Sequence, residues 1–337
     1  MAENQDNSEV YTEIGVIGAG AWGTALAVAA SQAGRKVRLW AREAEVVADI
    51  RAFAENKRFL PGIALAPSIA ATGDIAEAAR AEALLLVVPA QHLRESLRGI
   101  AVHAARGTPL VLCAKGIERG SGKFLTEVLA EEVPHGEPAI LSGPSFARDV
   151  ARGTPTAVTI AARMDVALRL QATLGHPAFR PYASDDLRGV ALGGAAKNVY
   201  AIASGIVDGM GLGESARAAL IARSFAELTR LGAALGARPE TLMGLSGLGD
   251  LVLTATSATS RNFGFGRALG QGRTRAELES PGHPLAEGVE TAPALARRAR
   301  DEGIELPIAE AVAAVLEGTL PVGEAVLRLM SRPLKPE

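Results

Sequence analysis

The chain has 337 residues, 48% of them hydrophobic, and a formal net charge of -2 with acids and bases interspersed. That length suits two domains with ample cores, and that balance excludes a basic groove for nucleic acid or a membrane-binding charged face. Cys113 is the only cysteine, which excludes an intrachain disulfide framework.

The chain opens on "MAENQDNSEVYTE", which reads as a polar tail over residues 1–12 without the basic and apolar regions of a signal peptide. With no long uninterrupted apolar run, no membrane span is expected and a cytoplasmic location is. Buried strands are then predicted at Ile14–Gly18, Lys36–Trp40, Ala83–Pro89, Pro109–Ala114 and Ala139–Leu141. Two more are predicted at Thr156–Ala162 and Phe179–Ala183, with helical stretches such as "AWGTALAVAASQAG" between strands. The alternation implies βαβ units and a mainly parallel sheet.

Between the first two strands, Gly18, Gly20 and Gly23 stand in G-x-G-x-x-G spacing, after a strand and at the start of a helix. Gly18 permits the tight turn, Gly20 lets a pyrophosphate approach the backbone, and Gly23 lets helix and strand pack closely. The helix N-terminus would face the phosphates with free N–H groups. The second strand ends in "RLWARE", where an NAD site usually has an acid for the ribose hydroxyls. Arg42 there favours a 2′-phosphate and hence NADPH; alternatively Glu43 fills the acid's place, or both are solvated surface. Further on, Lys115 follows a strand at its C-terminal end, where open α/β sheets place ligands. Ser145, in "SGPSFARD", either contacts a ligand or simply caps a helix. Cys113 lies in a strand pattern and reads as core. The five histidines are scattered and have no metal-ligand spacing, so no metal site is expected.

The pattern changes near Asp186. Ala- and Leu-rich segments with helical spacing follow, which places a dinucleotide-binding domain at residues 13–188 and an all-helical domain at 189–330. The expected fold class is α/β, an N-terminal Rossmann-type doubly wound sheet followed by that helical C-terminal domain. Lys197 interrupts an apolar helix in "GGAAKNVYAIASGIVDG". Burial would lower its pKa and make it a proton donor or acceptor near neutrality, whereas a lysine at a domain edge would only snorkel. The segment "LSGLGDLVLTATSATSRNFGFG" (Leu245–Gly266) sets Asp250, several hydroxyls, Arg261 and Asn262 among glycines. Arg261 and Asn262 can donate to a phosphate, and Asp250 can accept from a lysine or a substrate hydroxyl. A loop of capping residues would explain the hydroxyls but less easily the acid and the Arg–Asn pair.

These motifs resemble the bacterial NAD(P)-dependent glycerol-3-phosphate dehydrogenases. The matching pieces are "GVIGAGAWGTALA", "VPAQ", "CAKGIE", "LSGPSFA", "AAKNVYAIASGIVDGMGLG", "GLSGLGDLVLTATSATSRN" and "AEGVETA", in family order from residue 15 to about 292. The resemblance implies reversible reduction of dihydroxyacetone phosphate to sn-glycerol 3-phosphate, with Lys197 transferring the proton. It implies substrate contacts from Lys115, Gly143, Ser145, Lys197, Asp250, Ser260, Arg261 and Asn262. Nucleotide contacts from Ala21, Trp22, Arg42, Lys115, Ala147, Arg261, Leu285 and Glu287 are implied as well, with Leu285 standing where the family more often has Val. A homodimer that provides glycerol backbones for phospholipids would follow. Two rivals remain: a related two-domain dehydrogenase acting on a hydroxy or sugar acid, and a catalytically silent dinucleotide sensor.

Overall fold

The computed structural model describes residues 10–280 and 285–333. The chain divides into two compact units. The first runs to Ala114 and resumes over Leu125–Val190; the second comprises Lys115–Phe124 and the chain from Ala191 onward. The expected boundary near 188 therefore misses a short excursion: ten residues after the fifth strand belong to the helical unit.

The first unit is an eight-stranded sheet: β1 (Glu13–Ile17), β2 (Lys36–Trp40), β3 (Ile69–Thr72), β4 (Ala83–Leu86), β5 (Pro109–Leu112), β6 (Glu137–Ser142), β7 (Thr156–Ala161) and β8 (Phe179–Ser184). Their order is β3-β2-β1-β4-β5-β6-β7-β8. The first six are parallel and form the doubly wound dinucleotide-binding order. β7 then joins antiparallel to β6 and carries β8 parallel beside it. Helices α1 (Ala21–Gln32), α2 (Ala44–Phe53), α3 (Ile75–Ala79), α4 (Leu93–Ala101), α5 (Leu125–Glu132), α6 (Ala147–Ala151) and α7 (Met164–Leu174) lie between the strands in sequence. "ALLL" and "PLVL" are apolar at every position because β4 and β5 are buried on both faces.

Two readings of the sequence change here. β3, with the sequence "IAAT", was not predicted; it is a short edge strand with little of the bulk that marks a strand. The polar tail was drawn to residue 12, yet Val10 and Tyr11 are buried. The Tyr11 N–H donates to Thr173 Oγ1 at 3.0 Å, and the Arg169 guanidinium sits 3.9 Å over its ring. Residues 1–9 of that tail, and Leu334–Glu337, lie outside the described residues.

The second unit consists of α8 (Leu187–Gly209, which begins in the first unit), α9 (Glu214–Ala234), α10 (Pro239–Met243), α11 (Asp250–Thr256), α12 (Arg261–Gly270), α13 (Arg275–Leu278), α14 (Glu287–Asp301), α15 (Pro307–Leu316) and α16 (Val322–Met330). The Lys115–Phe124 excursion adds a small hairpin, closed by a bridge between Ile117 and Phe124, both of which enter this unit's core. α8 is long and apolar enough to cross a membrane, but 94% of its most apolar window is buried, as in a core helix. "LSGLGDLVLTAT" is helical: a π-turn over Leu245–Gly249 runs directly into α11.

Glycine sets the distance between α8 and α12. A Cβ on Gly205 or Gly209 would collide with the backbone carbonyl of Phe263 or Arg267, and one on Gly266 or Gly270 with that of Ile202 or Ile206. Each pair is spaced four residues apart and so shares one helix face. Gly264, by contrast, faces open space. Gly205→Ala should therefore push α12 off α8 and cost about 1–3 kcal/mol. Gly264→Ala should be neutral or stabilise by roughly 0.5–1 kcal/mol, because it only reduces the freedom of the unfolded chain. Denaturant melts of the two variants make the comparison; equal destabilisation would contradict the close contact.

Candidate active site

Lys197 lies inside α8, four residues after Gly193. The Ser246 carbonyl occupies the space that a Gly193 Cβ would need, so the π-turn seats directly on this face of α8. Gly249 N–H bonds back to the Gly244 carbonyl at 3.0 Å, and the next residue is Asp250, the first of α11. That placement sets Asp250 against Lys197. Lys197 Nζ donates to Asp250 Oδ1 at 2.6 Å and to Thr254 Oγ1 at 2.9 Å, and Thr254 Oγ1 donates to Asp250 Oδ1 at 3.2 Å. From the hairpin, Lys115 Nζ donates to the other oxygen, Asp250 Oδ2, at 2.7 Å. Lys197 is 7% exposed and Asp250 1%.

Burial lowers the Lys197 pKa to about 8; Asp250 opposes that effect and Lys115 adds to it. For Asp250, burial alone would raise the pKa, but the two ammonium groups outweigh it and hold the carboxyl below its usual value. At neutral pH the cluster carries two cations on one carboxylate, a net charge that suits an anionic ligand. An ammonium has three donors, and Lys197 uses two of them on Asp250 and Thr254. The third has no partner among the described residues and is available to a ligand oxygen.

A chain of amides supports the cluster. Asn198 Nδ2 donates to the Lys115 carbonyl at 3.0 Å, and Asn262 Nδ2 donates to Asn198 Oδ1 at 2.9 Å. The Gly288 N–H, from α14, donates to Asn262 Oδ1 at 2.9 Å. Asn262 is thus internal. Its neighbour Arg261 is exposed, with no partner for its guanidinium among the described residues. Ser260 is the N-cap of α12, its Oγ accepting from the Phe263 N–H at 3.2 Å. Asn198, Thr254 and Gly288 were not singled out as site residues. Asn198 was visible as the second polar residue in an apolar helix, and Thr254 as the residue one helical turn after Asp250, once that segment is known to be helical.

The remaining candidates are placed as follows. Gly18, at the end of β1, has φ 114° and lies against the Val87–Val88 peptide, at the switch point between β1 and β4. Gly23 packs on the Gly18 carbonyl, whereas a Cβ on Gly20 would meet nothing. The turn thus has close packing behind it and open space in front. Ala21 and Trp22 form the first turn of α1 and are partly buried. The Arg42 side chain is 72% exposed and bonds to Glu43 Oε1 at 3.0 Å, so the two residues proposed for one role are paired with each other. Gly143 has φ 153°, and its missing Cβ leaves room for Val158; Ser145 Oγ donates to its carbonyl at 3.0 Å. Ala147 begins α6, Leu285 is exposed, and Glu287 begins α14. Cys113 is buried, with Sγ directed to the Val111 carbonyl. Among the described residues no three His, Cys, Asp or Glu side chains converge on a metal-sized space; His283 lies outside them.

Comparison with known proteins gives one family. Residues 13–167 match the profile described as NAD-dependent glycerol-3-phosphate dehydrogenase N-terminus, and residues 186–327 match the corresponding C-terminus. The chain is 58% identical over 328 residues to a glycerol-3-phosphate dehydrogenase [NAD(P)+] of Parvibaculum lavamentivorans, covering 97% of this chain and 98% of that one. It is 55% identical to the protein of that name from Caulobacter vibrioides, covering 97% and 99%. The crystal structure of glycerol-3-phosphate dehydrogenase from Coxiella burnetii superposes with a TM-score of 0.91 at 37% identity, over 96% of this chain and all of that one.

Asp250 bridges the two lysines, Lys115 and Lys197. Asp250→Asn should leave those ammonium groups facing each other without a counter-charge and cost about 3 kcal/mol of stability. Thermal denaturation measures it; a loss no larger than that of an exposed ion pair such as Arg42–Glu43 would show the carboxylate to be dispensable.

Proposed function

The chain belongs to the NAD(P)-dependent glycerol-3-phosphate dehydrogenase family and interconverts dihydroxyacetone phosphate and sn-glycerol 3-phosphate, and we propose that Lys197 moves the proton in that reaction. The observation that carries this reading is the buried Lys197 ammonium with one uncommitted donor, held by Asp250 and Thr254. The nicotinamide, when bound, supplies the hydride for C2. Lys197 directs its free N–H at the C2 oxygen, stabilises negative charge as it develops, and transfers the proton. Asp250 and Thr254 hold the ammonium in place, and Lys115 adds a second positive charge while its own Nζ is anchored on Asp250. In the oxidative direction a neutral Lys197 takes the hydroxyl proton.

We assign the substrate phosphate to Arg261. It is exposed, uncommitted, and begins a helix, so guanidinium and helix N-terminus favour the same anion. Asn262, carried over with it as a phosphate contact, has its carbonyl oxygen and one amide hydrogen occupied by Gly288 and Asn198. Its part is to hold α12, α14 and Lys115 together. Arg42 is our choice for a 2′-phosphate, which it would take in exchange for Glu43. We also propose that the enzyme works in the cytoplasm, where its phosphorylated, membrane-impermeant substrate is made, and that it is a homodimer. Support for the dimer comes from the family and from Leu327 and Met330, which α16 leaves exposed.

The pH dependence follows from the lowered Lys197 pKa of about 8. Reduction needs the ammonium, so its rate should fall as pH rises through about 8; oxidation needs the neutral amine, so its rate should rise over the same range. Lys197→Met should remove both limbs and cost roughly a hundred- to ten-thousand-fold in kcat. Initial rates in both directions across pH test this, and a Met variant with near-normal turnover would remove Lys197 from the mechanism.

Arg261→Ala should lower kcat/KM for dihydroxyacetone phosphate about ten- to a hundredfold, the worth of one charge-assisted hydrogen bond. The already poor activity on unphosphorylated dihydroxyacetone should change much less, and Arg261→Lys should recover little without the planar fork. Equal losses on the two substrates would show that Arg261 serves something other than the phosphate.

A further inference from the structure

The segment between α2 and β3, "AENKRFLPGIAL", carried none of the readings above. α2 ends at Phe53, and Ala54 turns the chain with φ 51°, a left-handed conformation rare for a residue other than glycine. The loop that follows is closed at its base. Leu65 N–H donates to the Ala54 carbonyl at 2.8 Å, Glu55 and Ala64 form an antiparallel bridge, and the Gly62 N–H donates to Glu55 Oε1 at 2.8 Å. Its charged side chains reach other groups at the surface: Lys57 lies 3.1 Å over the Phe53 ring and Arg58 pairs with Glu45.

One polar side chain of the loop is buried. Asn56 is 1% exposed. Its Nδ2 donates to the Ala19 carbonyl at 2.8 Å and to Thr24 Oγ1 at 2.8 Å, while its Oδ1 accepts from the Phe59 N–H at 3.1 Å. The orientation of this amide is fixed by its partners, because the Ala19 carbonyl can only accept and the Phe59 N–H can only donate. Ala19 lies inside the glycine turn and Thr24 in the first turns of α1, so a single side chain ties the turn and the helix start to the loop.

The Ala19 carbonyl belongs to the Ala19–Gly20 peptide. In a planar trans peptide the C=O and the N–H point in opposite directions. Fixing that carbonyl on Asn56 therefore fixes the Gly20 N–H on the side away from Asn56. Gly20 is also the N-cap of α1, which has no side-chain cap, so the first N–H groups of the helix are oriented by the same anchor and are not taken by a capping oxygen.

We propose that Asn56 is a positioning residue for the cofactor: by gripping the Ala19 carbonyl and the Thr24 hydroxyl, it holds the Gly20 N–H and the first turn of α1 in the orientation that receives the dinucleotide pyrophosphate. This rests on the reading of the glycine turn as the pyrophosphate cradle. Asn56 itself touches no phosphate. It sets the direction of the backbone donors that do, and its benefit is preorganisation: donors that need not be reoriented when the anion arrives.

Two variants separate this role from maintenance of the loop. Asn56→Ala removes all three bonds. Asn56→Asp keeps an oxygen for the Phe59 N–H, and in its ionised form turns its other oxygen, which cannot donate, toward the Ala19 carbonyl, so it is assayed above the pH at which that carboxyl is protonated. Steady-state kinetics with NADPH and NADH, and direct nucleotide binding, are measured beside thermal denaturation. Both variants should raise the nucleotide KM and Kd by on the order of tenfold, the worth of about one well-made hydrogen bond. The KM for dihydroxyacetone phosphate should hold, and kcat should recover at saturating nucleotide. Both variants should lose stability, the Asp variant through a buried carboxylate set against a carbonyl, and the Asp variant should bind nucleotide no better than the Ala variant. Unchanged nucleotide affinity in the Asp variant overturns the positioning role, as does a loss that falls on kcat and on both substrates alike. Either result leaves intact the wild-type affinity for the dinucleotide, which separately tests the reading of the glycine turn.

Discussion

A carboxylate that is 1% exposed stays ionised only if something replaces the water it has lost, and for Asp250 that is a pair of lysines. The same unit holds a useful contrast. Glu227, in α9, is 3% exposed and accepts from the backbone N–H groups of Ile308 and Ala309, at 2.7 and 3.3 Å. Burial raises its pKa to about 7 despite those bonds. Comparable burial gives shifts of opposite sign in the two acids, and the difference is the two ammonium groups. The relation is mutual. Asp250 keeps Lys197 from losing its proton altogether in a buried setting, and burial with Lys115 nearby keeps that proton from being held too firmly. If Lys197 transfers the proton, as proposed above, it needs both influences.

That balance depends on distance, and distance here is set by backbone packing. Gly193 lets the π-turn approach α8 one helical turn before Lys197, so the acid arrives at the amine. Gly205, Gly209, Gly266 and Gly270 let α12 lie against α8, and Gly288 lets α14 close on the Asn198 backbone. The two asparagines then bridge elements brought near by glycine: Asn198 and Asn262 hydrogen-bond across α8 and α12, and Gly288 completes the chain from α14. A side chain larger than hydrogen at these places would act on the chemistry through geometry without touching a reacting atom.

The fold and part of the candidate site were legible in the sequence for a physical reason. Strands buried on both faces are apolar at every position, as β4 and β5 are, β2 alternates buried Val37 and Leu39 with more exposed neighbours, and a tight strand-to-helix turn needs glycine, so these strands and the turn at Gly18–Gly23 leave direct traces. Lys197 was visible because a charge inside an apolar helix is costly and stands out. What was missed leaves no such trace. β3 is a short edge strand of small residues. Tyr11 looked like part of a tail because its partners, Thr173 and Arg169, are far along the chain. Thr254 joined the candidate site only once the segment after Leu245 was known to be helical, and Asn198 only once its partners Lys115 and Asn262 were placed. Asn56 looked like any loop asparagine, since nothing local announces that its amide ends on Ala19 and Thr24. Contacts distant in sequence between ordinary residues are what a single chain hides.

On the proposed reading, the two units recognise their ligands by different means. In the first, the phosphate cradle is built from main chain: a glycine turn, a helix start without a side-chain cap, and one buried amide behind it. Backbone donors cannot titrate, so such a site keeps the same affinity whatever the protonation state of the chemistry. In the second, recognition and reaction are built from ionisable side chains whose charges depend on one another, Lys115, Lys197 and Asp250, with Arg261 standing free at the start of α12. Ionisable groups are needed where a proton moves and would be a liability where a phosphate must simply be held. On that reading glycine serves both units, as the cradle itself in the first and as the spacing that brings Asp250 to Lys197 in the second.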